Sequence, residues 1–418
     1  MPEFLPFIGT RYNPSTVRAD NVTSPPYDVI SSEFRDVLYE RDPHNVIRLE
    51  FNRDADPYTS AARNFEAWKN EKILIREERP AYYVYHQIFD KPEGGQITRT
   101  GVLGRLSLAP DSVKQVLPHE RTHAGPIRDR FELMAHTHAN FSPIFGLVSD
   151  PTLFFDQTLE IATAYAPLMD VDEHLENGQT VRHILWRLDD TLAADRIQKI
   201  VAPSKIIIAD GHHRFKTARQ FYEQHQDIAG AGYIMMFISN LESEGAVILP
   251  THRLLEGLAG FDQYQLLERL KEKFELTPFS SREEGVAVLE RDESTVTLIE
   301  FPDDPKWVLV SDLEPTSKRE KELTATRLEE EILIPMVGLS RTTIDERRNL
   351  LYPHTFRELD ELEESQNWNA AFLLRSVRPS ELKAVVNRGE YMPQKTTYFY
   401  PKLLTGLVFH EFEIQPKP

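Results

Sequence analysis

One stretch constrains this chain more than any other. Lys205-Ile206-Ile207-Ile208-Ala209 leads into Asp210-Gly211-His212-His213-Arg214 and on through Phe215-Lys216-Thr217-Ala218. Apolar after its first residue, Lys205 to Ala209 reads as a short strand of the kind buried on both faces. The Asp-Gly pair turns the chain, and His212 to Gln224 then has helical spacing. A strand that enters a helix through a glycine turn belongs to an α/β or α+β layering, in which helices cover a sheet.

The rest of the chain repeats that alternation. The spacing predicts helices over Ser32 to Arg41, Tyr58 to Arg76, Ile127 to His138, Asp190 to Val201, Asp262 to Phe274 and Pro379 to Arg388. It predicts strands over Asn45 to Phe51, Ala81 to Phe89, Ile97 to Leu108, Pro143 to Val148 and Thr180 to Leu188. Further strands are expected over Gly232 to Ser239, Ala246 to Leu249, Thr295 to Glu300, Trp307 to Ser311 and Ala370 to Val377. Pro92-Glu93-Gly94-Gly95 reads as a hairpin turn. The expected class is α/β (mixed α+β) with mixed sheets and two to three subdomains. These are a main catalytic or ligand-binding domain at 1–250, a smaller α+β part at 251–340, and a segment at 341–418 that packs back on the main domain.

Composition narrows the chemistry. The 418 residues include no cysteine, which excludes disulfides, iron–sulfur clusters, thiolate zinc sites and cysteine nucleophiles. The net charge is −18, from 48 basic against 66 acidic residues, and so acidic a surface argues against a nucleic-acid partner. No secretory signal and no apolar run long enough to span a membrane is visible, so a cytoplasmic location and no membrane partner are expected. Oligomeric state is left open.

Four segments carry polar side chains fit for chemistry. In the first, the helix opening at Gly211 offers unpaired amide N–H groups and a partial positive charge. Gly211 lets the backbone approach a ligand, and His212, His213, Arg214 and Lys216 add donors, a good description of a phosphate cradle. Asp210 beside it could hold a metal ion, accept a proton, or simply cap the helix. The second is Pro118-His119-Glu120-Arg121-Thr122-His123-Ala124-Gly125-Pro126. It contains the His-Glu-x-x-His string of zinc peptidases, but the flanking Pro118 and Gly125-Pro126 leave no helix of useful length, so a polar loop folding over a ligand is expected. Arg128, Arg130 and His138 lie close by on the following helix, and Asn140, Ser142 and Pro143 lead from it into the next strand. The third, Lys395 to Lys402, sets two lysines among aromatics. The fourth, Ser24-Pro25-Pro26-Tyr27-Asp28-Val29, is a stiff extended turn. No phosphate loop of the Gly-x-x-x-x-Gly-Lys type, dinucleotide fingerprint or Gly-x-Ser-x-Gly elbow occurs.

Taken as a set, Ser24 to Ile30, His119 to Pro126, Ala209 to Arg214 and Met392 to Lys402 resemble one bacterial and archaeal family, domain of unknown function 1015, over nearly the whole chain. Lys395-Thr396-Thr397 departs from the Lys-Ser-Thr expected there but keeps the hydroxyl. The Asp-Gly-His-His-Arg segment is also similar to the strand–turn–helix of the ParB-like and sulfiredoxin-like superfamily, which includes free-serine kinases and uses this turn to hold nucleotide phosphates. The resemblance implies phosphoryl transfer or phosphoester hydrolysis on a small hydroxylated metabolite, with serine or phosphoserine as candidates. In that reading Asp210, His213 and Glu120 are catalytic. Gly211, His212, Arg214, His119, His123, Arg128, Lys395 and Lys402 hold substrate or phosphate, Asp210 and Glu120 share Mg²⁺, and a nucleotide is a candidate ligand. Two alternatives stand beside it: a nucleotide-binding sensor without turnover, and a metal-dependent hydrolase using His119 and His123.

Overall fold

The computed structural model describes residues 1–91, 94–120, 124–175, 178–292, 294–313, 323–346, 348–365 and 367–412. The chain divides into two units, Met1–Val247 with Pro401–Pro418, and Ile248–Tyr400. The class is mixed α+β, with mixed and antiparallel sheets in the described residues.

The first unit is built on a nine-stranded sheet. In spatial order its strands are Val116–Leu117, Ile206–Asp210, Ile144–Val148, Tyr233–Asn240, Gln96–Ser107, Tyr82–Asp90, Thr180–Leu188 and Met169–His174, with Phe4–Leu5 pairing on Gln96–Ser107. Ile206–Asp210 runs parallel to Val116–Leu117 and antiparallel to Ile144–Val148. Both faces are buried. On one, Val84, Val102, Ile144, Ile206 and Ile208 form a core with Phe215 and Phe221 of the helix His212–Gln224. On the other lie Tyr83, Tyr85, Phe145 and Phe237, with Gln87 and Arg99 paired in register among them. Side chains alternate between faces along a strand, so Tyr85 and Gln87 share that second face. Asp210 joins it at the end of its strand, opposite Phe145.

A second, four-stranded sheet orders Leu74–Arg76, Gly9–Tyr12, Phe409–Glu411 and Ala139–Asn140. It pairs Gly9 with His410 and His410 with Asn140, so the chain re-enters this unit after residue 400. The other unit holds a six-stranded sheet ordered Phe274–Phe279, Trp307–Asp312, Thr295–Glu300, Trp368–Leu373, Arg253–Glu256 and Leu350–Leu351. Its strands come from both sides of residue 340, so the parts expected at 251–340 and from 341 onward share one sheet.

Most elements form where local spacing places them, and three differ. Asn45 to Phe51 is not a strand but carries a helical turn, Ile47–Glu50. Asn45 dictates this: its Oδ1 accepts from Ile47 N at 3.0 Å while its Nδ2 donates to Asn21 O at 2.7 Å and Thr23 O at 3.1 Å. Such a local side-chain cap overrides alternation. The helix expected over Tyr58 to Arg76 is Pro57–Asn70; Lys72 adopts φ 58°, and Leu74–Arg76 is a strand. Phe274, expected to end a helix, begins the edge strand of its sheet. Pro92 and Glu93 of the expected hairpin lie outside the described residues.

Candidate functional site

Gly211 caps the helix His212–Gln224 at φ +92°, the left-handed region where a side chain is strained. A Cβ there would also meet Arg214 Nε at 3.2 Å, so the guanidinium folds back across the turn. From that position Arg214 Nη2 donates to Asp210 Oδ2 at 2.7 Å and Nη1 to Pro143 O at 2.5 Å. Lys402, 192 residues further along the chain, donates from Nζ to Asp210 Oδ1 at 2.7 Å. Each Asp210 oxygen therefore accepts from a different cation. Burial pushes this carboxyl up, but Lys402 and Arg214 together outweigh burial and hold it well below the usual carboxylate range. A carboxylate so engaged is a poor base; its effect is to hold two cations at the opening of a helix.

His119 and His212 meet at this corner, and burial disfavours the charged form of each. His119 N–H donates to His212 Nε2 at 3.3 Å, so His212 carries its proton on Nδ1, which faces Glu120 Oε2 at 3.9 Å. The rings meet edge to face with centroids 4.6 Å apart. Burial pushes each imidazole down to about 3, and each is buried in the core of the corner. Glu120 is half-buried, and 3.9 Å is beyond hydrogen-bond reach, so its carboxylate is not committed to His212.

Behind Arg214 runs a buried polar network. Arg130 Nη1 donates to the Glu50 carbonyl at 2.9 Å and lies 3.3 Å from Glu50 Oε1, which accepts from Ser142 Oγ at 2.7 Å. Arg130 Nε donates to Asp129 Oδ2 at 2.7 Å, and Tyr58 donates to Asp129 Oδ1 at 2.9 Å. The Arg130 guanidinium stacks 4.0 Å from the Tyr27 ring centroid, which brings in the Pro25-Pro26-Tyr27 turn. Burial raises the Tyr27 hydroxyl to about 12, so it stays a proton donor. Glu50, Arg130, Asn140, Ser142 and Arg214 line a cavity of about 30 Å³, room for about one or two waters.

The turn at Asp210 to Arg214 thus gathers His119, Glu120 and Lys402 around it. Of the other expected residues, His213 belongs to the turn itself, and the rest among the described residues do not gather there. Arg128 is exposed on its helix, whereas its neighbour Arg130 is buried. Lys395 belongs to the other unit, at φ 55°, with its carbonyl accepting from Arg253 Nη2 at 3.3 Å. His123 lies outside the described residues. His213 sits half-buried in the first turn of the helix. Sequence reading did not find Glu50, whose segment reads as a strand, or Gln87 and Arg99, which donate to the carbonyls of Lys402 and Pro401 but alternate within apolar strands and carry no local signal.

A Mg²⁺ ion shared by Asp210 and Glu120 does not fit this arrangement, because an ion at Asp210 would meet Lys402 and Arg214 on the same two oxygens. Among the described residues no three His, Asp or Glu side chains are gathered as a metal site. No helix there is long and apolar enough to cross a membrane.

The family model described as "Protein of unknown function (DUF1015)" matches residues 4–329. No curated protein matches the sequence. Solved structures that resemble it include a conserved hypothetical protein from Pyrococcus furiosus (15% identity, 72% of this chain and 94% of that one, TM-score 0.36). A free serine kinase in complex with AMP aligns at 14% identity over 74% of this chain and 91% of that one, with a TM-score of 0.38. SbnI with a C-terminal truncation, from Staphylococcus aureus, aligns at 10% identity over 72% and 85%, with a TM-score of 0.35. Likenesses this distant carry no argument about the activity of this chain.

Proposed function

Because this chain belongs to the DUF1015 family, whose name assigns no reaction, we propose its function from the site together with the resemblance of its turn: phosphoryl transfer to, or phosphoester hydrolysis of, a small hydroxylated metabolite. The observation that carries the reading is the Asp210 carboxylate held between Lys402 Nζ and Arg214 Nη2 at the opening of a helix. Two cations meet on one carboxylate, Glu120 brings the second negative charge of the corner, and the partial positive charge of the helix opening adds to the cations. An incoming phosphate satisfies both. Catalysis of this kind is chiefly positioning and charge neutralisation, which suits a corner built from fixed cations.

In this reading Lys402, Arg214 and the amides after Gly211 hold phosphate oxygens, with His213 a further donor from the first turn. Asp210 is a positioning residue. Glu120 is the base: it takes the proton of the attacking hydroxyl, from the metabolite or from water, as that oxygen bonds phosphorus and the bond to the leaving oxygen breaks. His212 Nδ1–H lies on the side of Glu120, 3.9 Å from it, and leaves the carboxylate free to turn to the hydroxyl. Serine and phosphoserine head the substrate list on the family resemblance and the ParB-like reading of the turn, and a nucleotide is the natural phosphoryl donor for the kinase direction.

The test is a turnover screen over amino-acid and sugar phosphates, and over the free alcohols with ATP or ADP. Glu120→Gln is expected to lower turnover with little change in substrate binding. Lys402→Met is expected to lower it about 10²–10³-fold, the usual cost of one charge-stabilising donor. Phosphate binding without turnover of any compound would instead favour a sensor, a role consistent with the engaged state of both Asp210 oxygens.

A further inference from the structure

Lys402 reaches Asp210 from a stretch that crosses the second face of the nine-stranded sheet, and side chains of two central strands grip that stretch by its backbone. Gln87 Nε2 donates to the Lys402 carbonyl at 2.8 Å. Arg99 Nη1 donates to the preceding carbonyl, Pro401 O, at 2.7 Å, and to Gln87 Oε1 at 2.9 Å. Arg99 Nε donates to Gly245 O at 2.9 Å, and its guanidinium lies 5.0 Å from the Phe145 ring centroid. Two residues on, Leu404 N–H donates to Tyr85 Oη at 3.3 Å. The Tyr85 hydroxyl meets His183 Nδ1 at 2.5 Å, and His183 Nε2 meets Glu173 Oε2 at 3.0 Å.

Gln87, Arg99, Tyr85 and His183 are all fully buried. Taking a guanidinium and a carboxamide out of water is costly unless their hydrogen bonds are made. Here they are made to two consecutive carbonyls, so the polar groups fix where residue 402 leaves the sheet. Apolar side chains of equal volume would fill the space without fixing it.

We infer that Gln87 and Arg99 are positioning residues that set Lys402 against Asp210, with Tyr85 holding the same stretch at Leu404. For its functional consequence this rests on the phosphate reading of the site; the geometric claim does not.

The experiment labels lysines of the full chain with acetic anhydride and follows each by mass spectrometry. In the wild type Lys402 is expected to react more slowly than Lys114, whose side chain is 71% exposed. Gln87→Met is expected to speed labelling of Lys402 by about two- to tenfold, the worth of one hydrogen bond, and to weaken inorganic-phosphate binding in step. Val102→Ala, a core change in the same sheet, controls for general loosening and is expected to leave Lys402 protected. Should Gln87→Met not fold, Tyr85→Phe keeps the ring, removes the acceptor for Leu404 N–H and is expected to act in the same direction. The proposal is overturned if Lys402 labels as fast as Lys114 in the wild type. It is overturned equally if Val102→Ala releases Lys402 as much as the polar variants do, or if neither polar variant changes its rate. If the labelling pattern holds but the wild type binds no phosphate, the positioning stands and the functional reading of the site falls.

Discussion

Each unit of the chain sets a guanidinium in a knot of charges, and the two knots differ in composition. In the first, Arg214 and Lys402 share one carboxylate, Asp210, at the opening of a helix. In the second, Arg282 serves three: Nε to Glu300 at 2.7 Å, Nη1 to Asp360 at 2.6 Å and Nη2 to Glu363 at 3.3 Å, with Lys306 3.7 Å from Glu300. Arg282 ties its own helix, Arg282–Leu289, to the strand Thr295–Glu300 and the helix Phe356–Ser365. The carboxyl groups respond in opposite ways. Asp210 is held below its usual range, while burial, with the Glu300 charge adding to it, pushes Glu363 up to about 7. A guanidinium in a knot of charges therefore does not mark a site by itself. The knot whose two cations meet on one carboxylate at the opening of a helix is the one proposed to receive an anion; the one with three carboxylates around one guanidinium braces three elements.

The largest effect should come from exchanging the cations for apolar side chains. Arg282→Met leaves three carboxylates without their guanidinium, the buried Glu300 among them, and is expected to destabilise its unit by about 1–3 kcal/mol in urea unfolding, the cost of leaving a buried acceptor without its donor, with phosphate binding unchanged. Arg214→Met is expected to abolish phosphate binding. Equal loss of phosphate binding in both variants would erase the distinction between the knots.

Gly211→Ala comes next. It forces a side chain into the left-handed region, at a cost of roughly 1–2 kcal/mol, and pushes on the Arg214 guanidinium. Both stability and phosphate affinity should fall, and a thermal melt with a phosphate titration reads the two together.

How far the sequence carries this comparison depends on range. The helix His212–Gln224 and the strand Thr180–Leu188 were predictable to the residue, because an apolar strand, a glycine turn and helical spacing are local signals. Asn45 to Phe51 misled because Asn45 caps a turn through partners more than twenty residues back in the chain. The convergence of His119, Glu120 and Lys402 on the turn rests on sheet order, which no local pattern encodes. Gln87 and Arg99 were illegible for a further reason: a polar residue alternating in a strand reads as solvent-facing until the segment that covers it is known.

The smallest effect is a pair of opposed pH slopes. A carboxyl raised on folding stabilises below its unfolded value and loses that contribution as pH rises, so the Glu363 knot should weaken between pH 4.5 and about 7. A carboxyl lowered on folding does the reverse, so the Asp210 corner should weaken as pH falls below its ordinary 3.8. Amide hydrogen exchange, compared between 206–215 and 295–300 across that range, separates them. Parallel slopes would mean that the two knots do not differ in the way described.

The central claim is that the Lys402–Asp210–Arg214 corner receives a phosphate. Calorimetric titration of inorganic phosphate into the wild type, Lys402→Met and Arg128→Ala tests it most directly. The account predicts binding by the wild type, the same affinity in Arg128→Ala, and a loss of about tenfold or more in Lys402→Met, since a hydrogen bond to a charged group contributes about 1.5–3 kcal/mol. Unaltered affinity in Lys402→Met, with the variant folded, would contradict it.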